Sequence, residues 1–305
     1  MSTPTSRPAL WVLVLCYNQI ALTLECLATL AAQTHPAHVL VIDNASSDGT
    51  AEQVARHFPN VEILRLATNL GYAGGNNAAM RHALACGAEA MLLLNNDTRL
   101  APTCLAELVA ALDAHPEAAA IGPMVYTWDG WDTISSAGGI INWAHADAVN
   151  VGAGEPDSGQ YAARAVDFLN GCALLVRSAA AAQVGLLDEH YFMYWEETDW
   201  CARMRHAGWT LRFEPAARVQ HKAPLEPEAM SRAALYYMAR NRLLFFARHT
   251  PWARRPVVMA RAVHGVARGG LRARRQGTSS ALEQQALRDF ALRRFGQQHA
   301  LNGEW

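Results

Sequence analysis

The first apolar run of the chain, Leu10 to Cys16 (LWVLVLC), is hydrophobic at every position rather than at every second one, and Val39 to Ile42 and Met91 to Leu94 repeat the pattern. Unbroken runs of this kind suit strands buried on both faces, as in a parallel sheet covered by helices. Between the first two, Ile20 to Gln33 carries leucines at 22, 24, 27 and 30, close to helical spacing. Thr50 to His57 and Asn76 to Cys86 read as further helices, and Val61 to Leu66 as another apolar segment. Strand and helix alternate, which predicts an α/β fold with a doubly wound, mostly parallel sheet.

Every predicted strand runs into a small, polar loop: CYNQ (16 to 19), DNASSDGT (43 to 50), TNLGYAGGNN (68 to 77) and NNDT (95 to 98). In open α/β sheets ligands gather outside the carboxyl ends of the strands, so these loops mark one candidate edge. The transition is sharpest in MLLLNNDTRL (91 to 100), where four apolar residues meet Asn95, Asn96 and Asp97. A plain turn accounts for those three equally well. Ser47 or Asp48 can cap the following helix, leaving backbone amides to face an anion. The glycines at 71, 74 and 75 lack GxGxxG spacing and do not follow the first strand, which argues against a dinucleotide-binding turn. They still permit positive φ or close backbone approach beside a ligand.

Past residue 120 the periodicity weakens, and Gly122 to Gln160 reads as irregular loops around a pocket. FLNGCALLVR (168 to 177) is strand-like again. From 188 to 221, Glu196, Glu197 and Asp199 lie among Tyr191, Phe192, Tyr194, Trp195, Trp200 and Trp209. Burial in such company raises carboxylate pKa values unless a cation compensates. Each acid also has a structural reading. Asp199 stands four before Arg203 and can pair with it on a helix, and Glu196 or Glu197 can be a first-turn acid favoured by the helix dipole. His221, taken alone, is an ordinary histidine.

At 305 residues and 51% hydrophobic content the chain can bury a full core. Six cysteines without a CxxC pair indicate neither a disulfide framework nor a structural zinc, and fit a reducing cytoplasm. No segment has the roughly 18 uninterrupted apolar residues of a spanning helix, and Leu10 to Cys16 is too short for a span or signal peptide. Charge is segregated: residues 1 to 231 hold 12 basic and 24 acidic residues, and 232 to 305 hold 14 arginines and 3 acids. The body is near −12 and the tail near +11. The tail begins ALYYMARNRLLFFARHTPWARRP, read as helices with Tyr, Leu and Phe on one side and Arg on the other. That suits either peripheral contact with the anionic inner face of the cell membrane or a helical cap on the acidic body. Interleaved apolar residues and an acidic body argue against nucleic acid as a partner.

LVLCYNQ, VIDNASSDGT, NLGYAGGNN, LLLNNDT, LNGCALLVR, YFMYWEETDWCARMRHAGW and VQH, in this order from about residue 10 to 221, resemble the family 2 glycosyltransferases, in particular the bacterial rhamnosyltransferase-like branch. The resemblance implies a GT-A fold over residues 1 to 230 with a basic helical extension over 231 to 305. It implies an enzyme that inverts the anomeric centre of a nucleotide-diphosphate sugar, with dTDP-L-rhamnose as the expected donor and a lipid-linked or cell-surface glycan as acceptor. UDP-galactofuranose, a UDP-hexose, or nucleotide-sugar binding without catalysis are the alternatives.

Carried over by position, Asp43 would bond the pyrimidine base, and Asn69, Gly71 and Gly74 would lie beside the nucleotide. Asn18, Asn77, Asn96 and Gly171 complete the implied substrate-contacting set, with Glu196 positioning the acceptor. Asn95 and Asp97 match the outer positions of a DxD-type metal motif, Asn95 standing where a carboxylate is common, and His221 matches a further metal or diphosphate ligand. A divalent cation, Mn²⁺ or Mg²⁺, would stabilise the diphosphate leaving group as a Lewis acid. Hard cations favour the oxygens, and a histidine ligand leans toward Mn²⁺. The second acid of the family's ED pair, its general base, falls on Glu197, with Asp199 as the reserve and Asp188 shaping the loop.

Overall fold

The computed structural model describes residues 9–223, 230–275 and 280–298. In chain order its first half comprises β1 (Leu10–Cys16), α1 (Ile20–Ala31), β2 (His38–Asp43), α2 (Thr50–His57), β3 (Glu62–Arg65), α3 (Gly71–Ala85), β4 (Ala90–Asn95), β5 (Thr98–Leu100) and α4 (Cys104–Ala114). Then follow β6 (Ala118–Thr127), β7 (Ile134–Ser136), β8 (Gly139–Asn142), β9 (Asp147–Asn150), β10 (Arg164–Ala165), β11 (Ala173–Arg177), α5 (Ser178–Val184), α6 (Glu196–His206) and β12 (Thr210–His221). Three helices close the described chain: α7 (Arg232–His249), α8 (Arg255–Arg275) and α9 (Ala281–Ala291).

The main sheet has the order β10-β12-β6-β11-β4-β1-β2-β3. Strands β3, β2, β1 and β4 are mutually parallel, β11 runs against β4 and β6, and β12 is again parallel to β6. The expected alternation and mostly parallel centre are therefore present. Residues of β1 alternate between two cores: Trp11 and Leu13 face one, Leu10, Val12 and Val14 the other. The second core is closed by Leu27 and Leu30 of α1, Val54 of α2 and Leu105 and Leu108 of α4. Helices on both faces explain why these strands are apolar at every position.

Two expectations need correction. The stretch read as irregular from 122 to 160 contains most of the buried strand β6 and all of β7, β8 and β9. Gly122 and Pro123 obscure it, because proline cannot donate to a ladder and ordinarily argues against a central strand. Here the β12 register shifts between Glu214 and Arg218, opposite Pro123 and Met124, and the irregularity accommodates the ring.

The second correction concerns the tail. Helix α7 does not carry all its arginines on an outer face: Arg240 is fully buried beside Asn241, and Leu243, Leu244, Phe245 and Phe246 join the same core as Trp11 and Trp195. Val258, Ala262 and Val266 bring α8 into that core. Among the described residues no helix is long and apolar enough to cross a membrane.

Candidate active site

The carboxyl ends of β1, β2 and β4 open onto a cavity of about 190 Å³ lined by Tyr17, Asn44, Asn69, Gly71, Tyr72, Asn95, Asn96 and Asp97. The loops around it are laced together through side chains. Asn18, at φ 57°, accepts from the Ser47 amide at 2.9 Å and donates its own amide to Ser46 Oγ at 2.8 Å. Asp43 accepts from the Ser46 amide at 2.8 Å and so shapes the turn after β2. The carboxylate of Asp48 accepts from the amides of Thr50 (3.0 Å) and Ile20 (3.1 Å), serving the starts of α2 and α1 together. Asn96 donates to Thr23 Oγ1 at 2.9 Å.

Asn44, which sequence reasoning did not single out, is the hub of the second loop. Its Nδ2 donates to Asn69 Oδ1 (2.9 Å) and the Gly71 carbonyl (3.2 Å), and its Oδ1 accepts from the Leu70 amide (2.9 Å). Gly71 is required twice over: its φ is +70°, and a Cβ there would lie 2.4 Å from the Phe192 carbonyl oxygen. Gly74 serves packing, since a Cβ would meet that of Leu70 at 2.7 Å. Asn77 is not brought to the cavity. It is buried, bonded to the Leu187 backbone at 2.9 and 3.0 Å and to Glu189 at 2.9 Å, and it clamps α3 to the loop before α6.

Gly171 joins the two halves of the site. Its carbonyl accepts from the Tyr72 hydroxyl at 2.6 Å, and a Cβ there would lie 3.3 Å from Glu197 Cγ. Glu197 is thereby held near Tyr72, which lines the cavity. Burial raises the Glu197 pKa against the hydrogen bonds from neighbouring amides. Burial first, and the charge of Glu197 second, push Glu196 well above the carboxylate range. Two adjacent carboxyls in a desolvated site cannot both ionise readily, so burial and mutual repulsion favour a proton on the pair, more strongly at Glu196.

Asp199 is committed elsewhere. Its oxygens accept from Arg203 Nε and meet His249 Nε2, each at 2.8 Å, with the Tyr191 hydroxyl at 3.2 Å. The structure thus favours the ion-pair reading of this acid over its reserve role as base. Burial opposes its ionisation, but His249 and Arg203 outweigh that and hold its pKa below the ordinary value. A depressed folded pKa gives stability that is present above the unfolded value, about 3.9, and is lost as pH falls through the folded one. We expect Asp199→Asn to be less stable than the wild type at neutral pH, with the gap closing only below about pH 4. Denaturant unfolding across a pH series measures it.

At the end of β4, His221 Nε2 lies 3.3 Å from Asp97 Oδ1 and 3.3 Å from Asn95 Nδ2. Burial opposes protonation of His221, but the neighbouring Cys172 and Asp97 raise its pKa well above the usual value. Asp97 Oδ1 is near enough for ionic attraction yet is buried without an aligned hydrogen bond. Among the described residues no group of three or more His, Cys, Asp and Glu is arranged to hold a metal alone. One orphaned carboxylate oxygen, one amide and one imidazole suit a cation whose other ligands are phosphate and water.

The loop carrying the acids is strained. Phe192, Tyr194 and Trp195 have φ of 66°, 65° and 74°. Asn241 Nδ2, from α7, lies 2.8 to 2.9 Å from the carbonyl oxygens of Tyr191, Met193 and Tyr194. Arg240 donates to the His190 and Tyr191 carbonyls at 3.1 and 3.0 Å. Sequence reasoning missed both residues because it placed this helix's arginines on the outside; the adjacent pair RN inside an apolar helix was the available signal.

Residues 11–177 match the model of a family described as glycosyl transferase family 2. Over 251 residues, 76% of this chain and 82% of the relative, the sequence is 30% identical to the N-acetylglucosaminyl-diphospho-decaprenol L-rhamnosyltransferase of Mycobacterium tuberculosis. Among solved structures the chain is similar to the mannosyltransferase PcManGT from Pyrobaculum calidifontis in complex with GDP-Man and Mn²⁺, with a TM-score of 0.59 at 18% identity over 95% of this chain and 89% of that one. It is also similar to GalNAc-T7 with UDP, GalNAc and Mn²⁺, with a TM-score of 0.60 at 15% identity over 82% of this chain and 51% of that one. At such identities the likeness speaks for the fold, which is GT-A. Matched sequence, sheet topology and the edge at which the polar loops meet agree: the chain belongs to glycosyltransferase family 2, in its rhamnosyltransferase-like branch.

Proposed function

We propose that the enzyme moves L-rhamnose from dTDP-L-rhamnose to a hydroxyl of a lipid-linked glycan, with inversion, and that Glu197 is the general base. The observation that carries the reading is the meeting, at one sheet edge, of a cavity between the β1, β2 and β4 loops with a carboxyl pair of raised pKa. Catalytic acids and bases gather where burial and like charge perturb their ionisation. The 30% identity to a rhamnosyltransferase named for a diphospho-decaprenol acceptor supports the donor sugar and a lipid-linked acceptor.

In this reading Asp43, Asn18, Asn69 and Gly71 bound the nucleotide, and Asn96 and Gly171 border the sugar. Asn95, Asp97 and His221 would hold Mn²⁺ or Mg²⁺, which when bound supplies Lewis-acid stabilisation of the departing diphosphate. Glu197 removes the proton of the acceptor hydroxyl as that oxygen attacks the anomeric carbon and the bond to the diphosphate breaks. Glu196, whose burial favours the protonated form, donates a hydrogen bond to the acceptor. Residues up to 230 act as the transferase body, and those from 231 buttress its acid-bearing loop.

Thermal shift with dTDP, UDP and their sugars, with and without Mn²⁺, tests the donor site. A nucleotide at about 100 times its dissociation constant adds about 2.7 kcal/mol of stability. We expect stabilisation by dTDP species that requires the cation, and loss of that cation-dependent gain in Asp97→Ala. Cation-dependent stabilisation by UDP species alone would replace the donor, and no shift with any of them would overturn the site.

A further inference from the structure

A wide groove lies away from the carboxyl pair, between α8 and the turn joining β8 to β9. It encloses about 1380 Å³. Val257, Arg261, His264, Arg268 and Leu271 all line it, and they recur along α8 at steps of four, three, four and three. Such spacing puts five side chains on one stripe of a helix. The opposite stripe, Val258, Ala262 and Val266, is buried in the core. Helix α8 therefore has two organised faces, and only the inner one is explained by folding.

The groove is built. Arg242 spans its floor, donating to the carbonyls of Ala146 (2.6 Å) and His145 (3.0 Å) in the hairpin turn. It fits beneath α8 because Gly265 has no side chain: a Cβ there would lie 2.8 Å from the guanidinium. The outer stripe carries positive charge between apolar ends. Val257 and Leu271 are 55% and 57% exposed, and Trp252, just before the helix, is 84% exposed. Ile140, Trp143 and Val149 are exposed on the neighbouring hairpin. Residues 255 to 275 include six arginines and no acid. On the facing elements Asp147 lies 3.8 Å from Arg242, and Glu283 packs against Gly269 and Gly270.

We infer that the outer face of α8, with the β8–β9 hairpin beside it, docks on the surface of an anionic lipid bilayer. Arginines with interleaved valine, leucine and tryptophan match that interface twice: guanidinium groups meet phosphate headgroups while short apolar side chains enter the acyl boundary. The segregation of charge along the chain, near −12 up to residue 231 and near +11 from 232 on, gives the region that carries α8 the sign such a surface attracts. A second copy presenting the same stripe would be repelled by like charge. Docking at this face extends the proposal of a lipid-linked acceptor, but the test needs neither donor nor acceptor, so the two readings fail separately.

The test is co-sedimentation of the full chain with vesicles of phosphatidylcholine alone and of phosphatidylcholine with about one third phosphatidylglycerol, at low and high salt. Binding to the anionic vesicles that weakens with salt is expected. Arg261→Glu/Arg268→Glu is expected to lower the partition coefficient at least about thirtyfold. Val257→Asp/Leu271→Asp should lower it as well, with the melting temperature of both variants unchanged. Should a double variant lose its fold, Arg268→Gln measures the same effect at about fivefold. Absence of wild-type binding, equal binding to both vesicle types, or wild-type affinity in the folded variants would overturn the inference. So would a salt-sensitive dimer, abolished by the arginine variants, in a chain that ignores vesicles.

Discussion

Glu197→Gln is expected to lower kcat by about a hundredfold to ten-thousandfold, the span typical of losing a positioned general base, while leaving nucleotide affinity within about twofold. The amide is close in size to the carboxyl, so packing against Gly171 and proximity to Tyr72 survive. What it lacks is a site for the acceptor proton. Asp199→Asn makes the informative contrast, since Asp199 is tied to Arg203, His249 and Tyr191 and its change should cost stability along with activity. The pH profile sharpens the assignment. Burial raises the Glu197 pKa, so its carboxylate form is lost at a higher pH than in an ordinary glutamate, near 4.3. The acid limb of kcat/KM should accordingly lie above that value and vanish in the residual activity of Glu197→Gln. Steady-state rates with nucleotide-binding titrations decide it; undiminished turnover would remove Glu197 from the base role.

Much of the donor half was legible because its signals are local. Unbroken apolar runs announced β1, β2 and β4, and the abrupt change to Asn95, Asn96 and Asp97 marked the edge where the cavity opens. Gly71 could be anticipated for the same reason, since a polar loop before a helix often needs positive φ. The misreadings arose where partners are distant in sequence. Asn77 looks like a site residue among glycines and asparagines, and only the fold reveals Leu187 and Glu189 as its partners, 110 and 112 residues away. Asn44 looks like one more polar loop residue, yet its bonds to Asn69, Leu70 and Gly71 span the two loops. Strand β6 was hidden because the irregularity that tolerates Pro123 lies in β12.

Asn241→Leu is expected to do nearly as much damage as losing the base, from a position the motifs do not contain. Residues 192, 194 and 195 are held at positive φ, each at a cost of order 1 to 3 kcal/mol that persists only while surroundings impose it. Asn241 is fully buried and supplies part of that constraint through three carbonyl oxygens of the loop. Leucine has similar volume but no donor. Leaving buried acceptors unpaired costs about 1 to 3 kcal/mol each, and Arg240 compensates only at Tyr191. A global loss of about 2 to 4 kcal/mol follows, with partial relaxation of the loop toward negative φ. Relaxation would tilt the start of α6, where Glu196 and Glu197 sit, and a displacement near 1 Å at reacting groups costs about a hundredfold in rate. Nucleotide binding should suffer less, because this loop contributes Phe192 and Met193 to the cavity while the polar residues from the β1, β2 and β4 ends line the rest of it. Denaturant unfolding, kcat and nucleotide affinity measured together distinguish this from simple unfolding: a folded variant with near-normal affinity and a kcat reduced about a hundredfold is the expected result. Stability and turnover within about twofold of the wild type would show that Arg240 holds the strained loop alone.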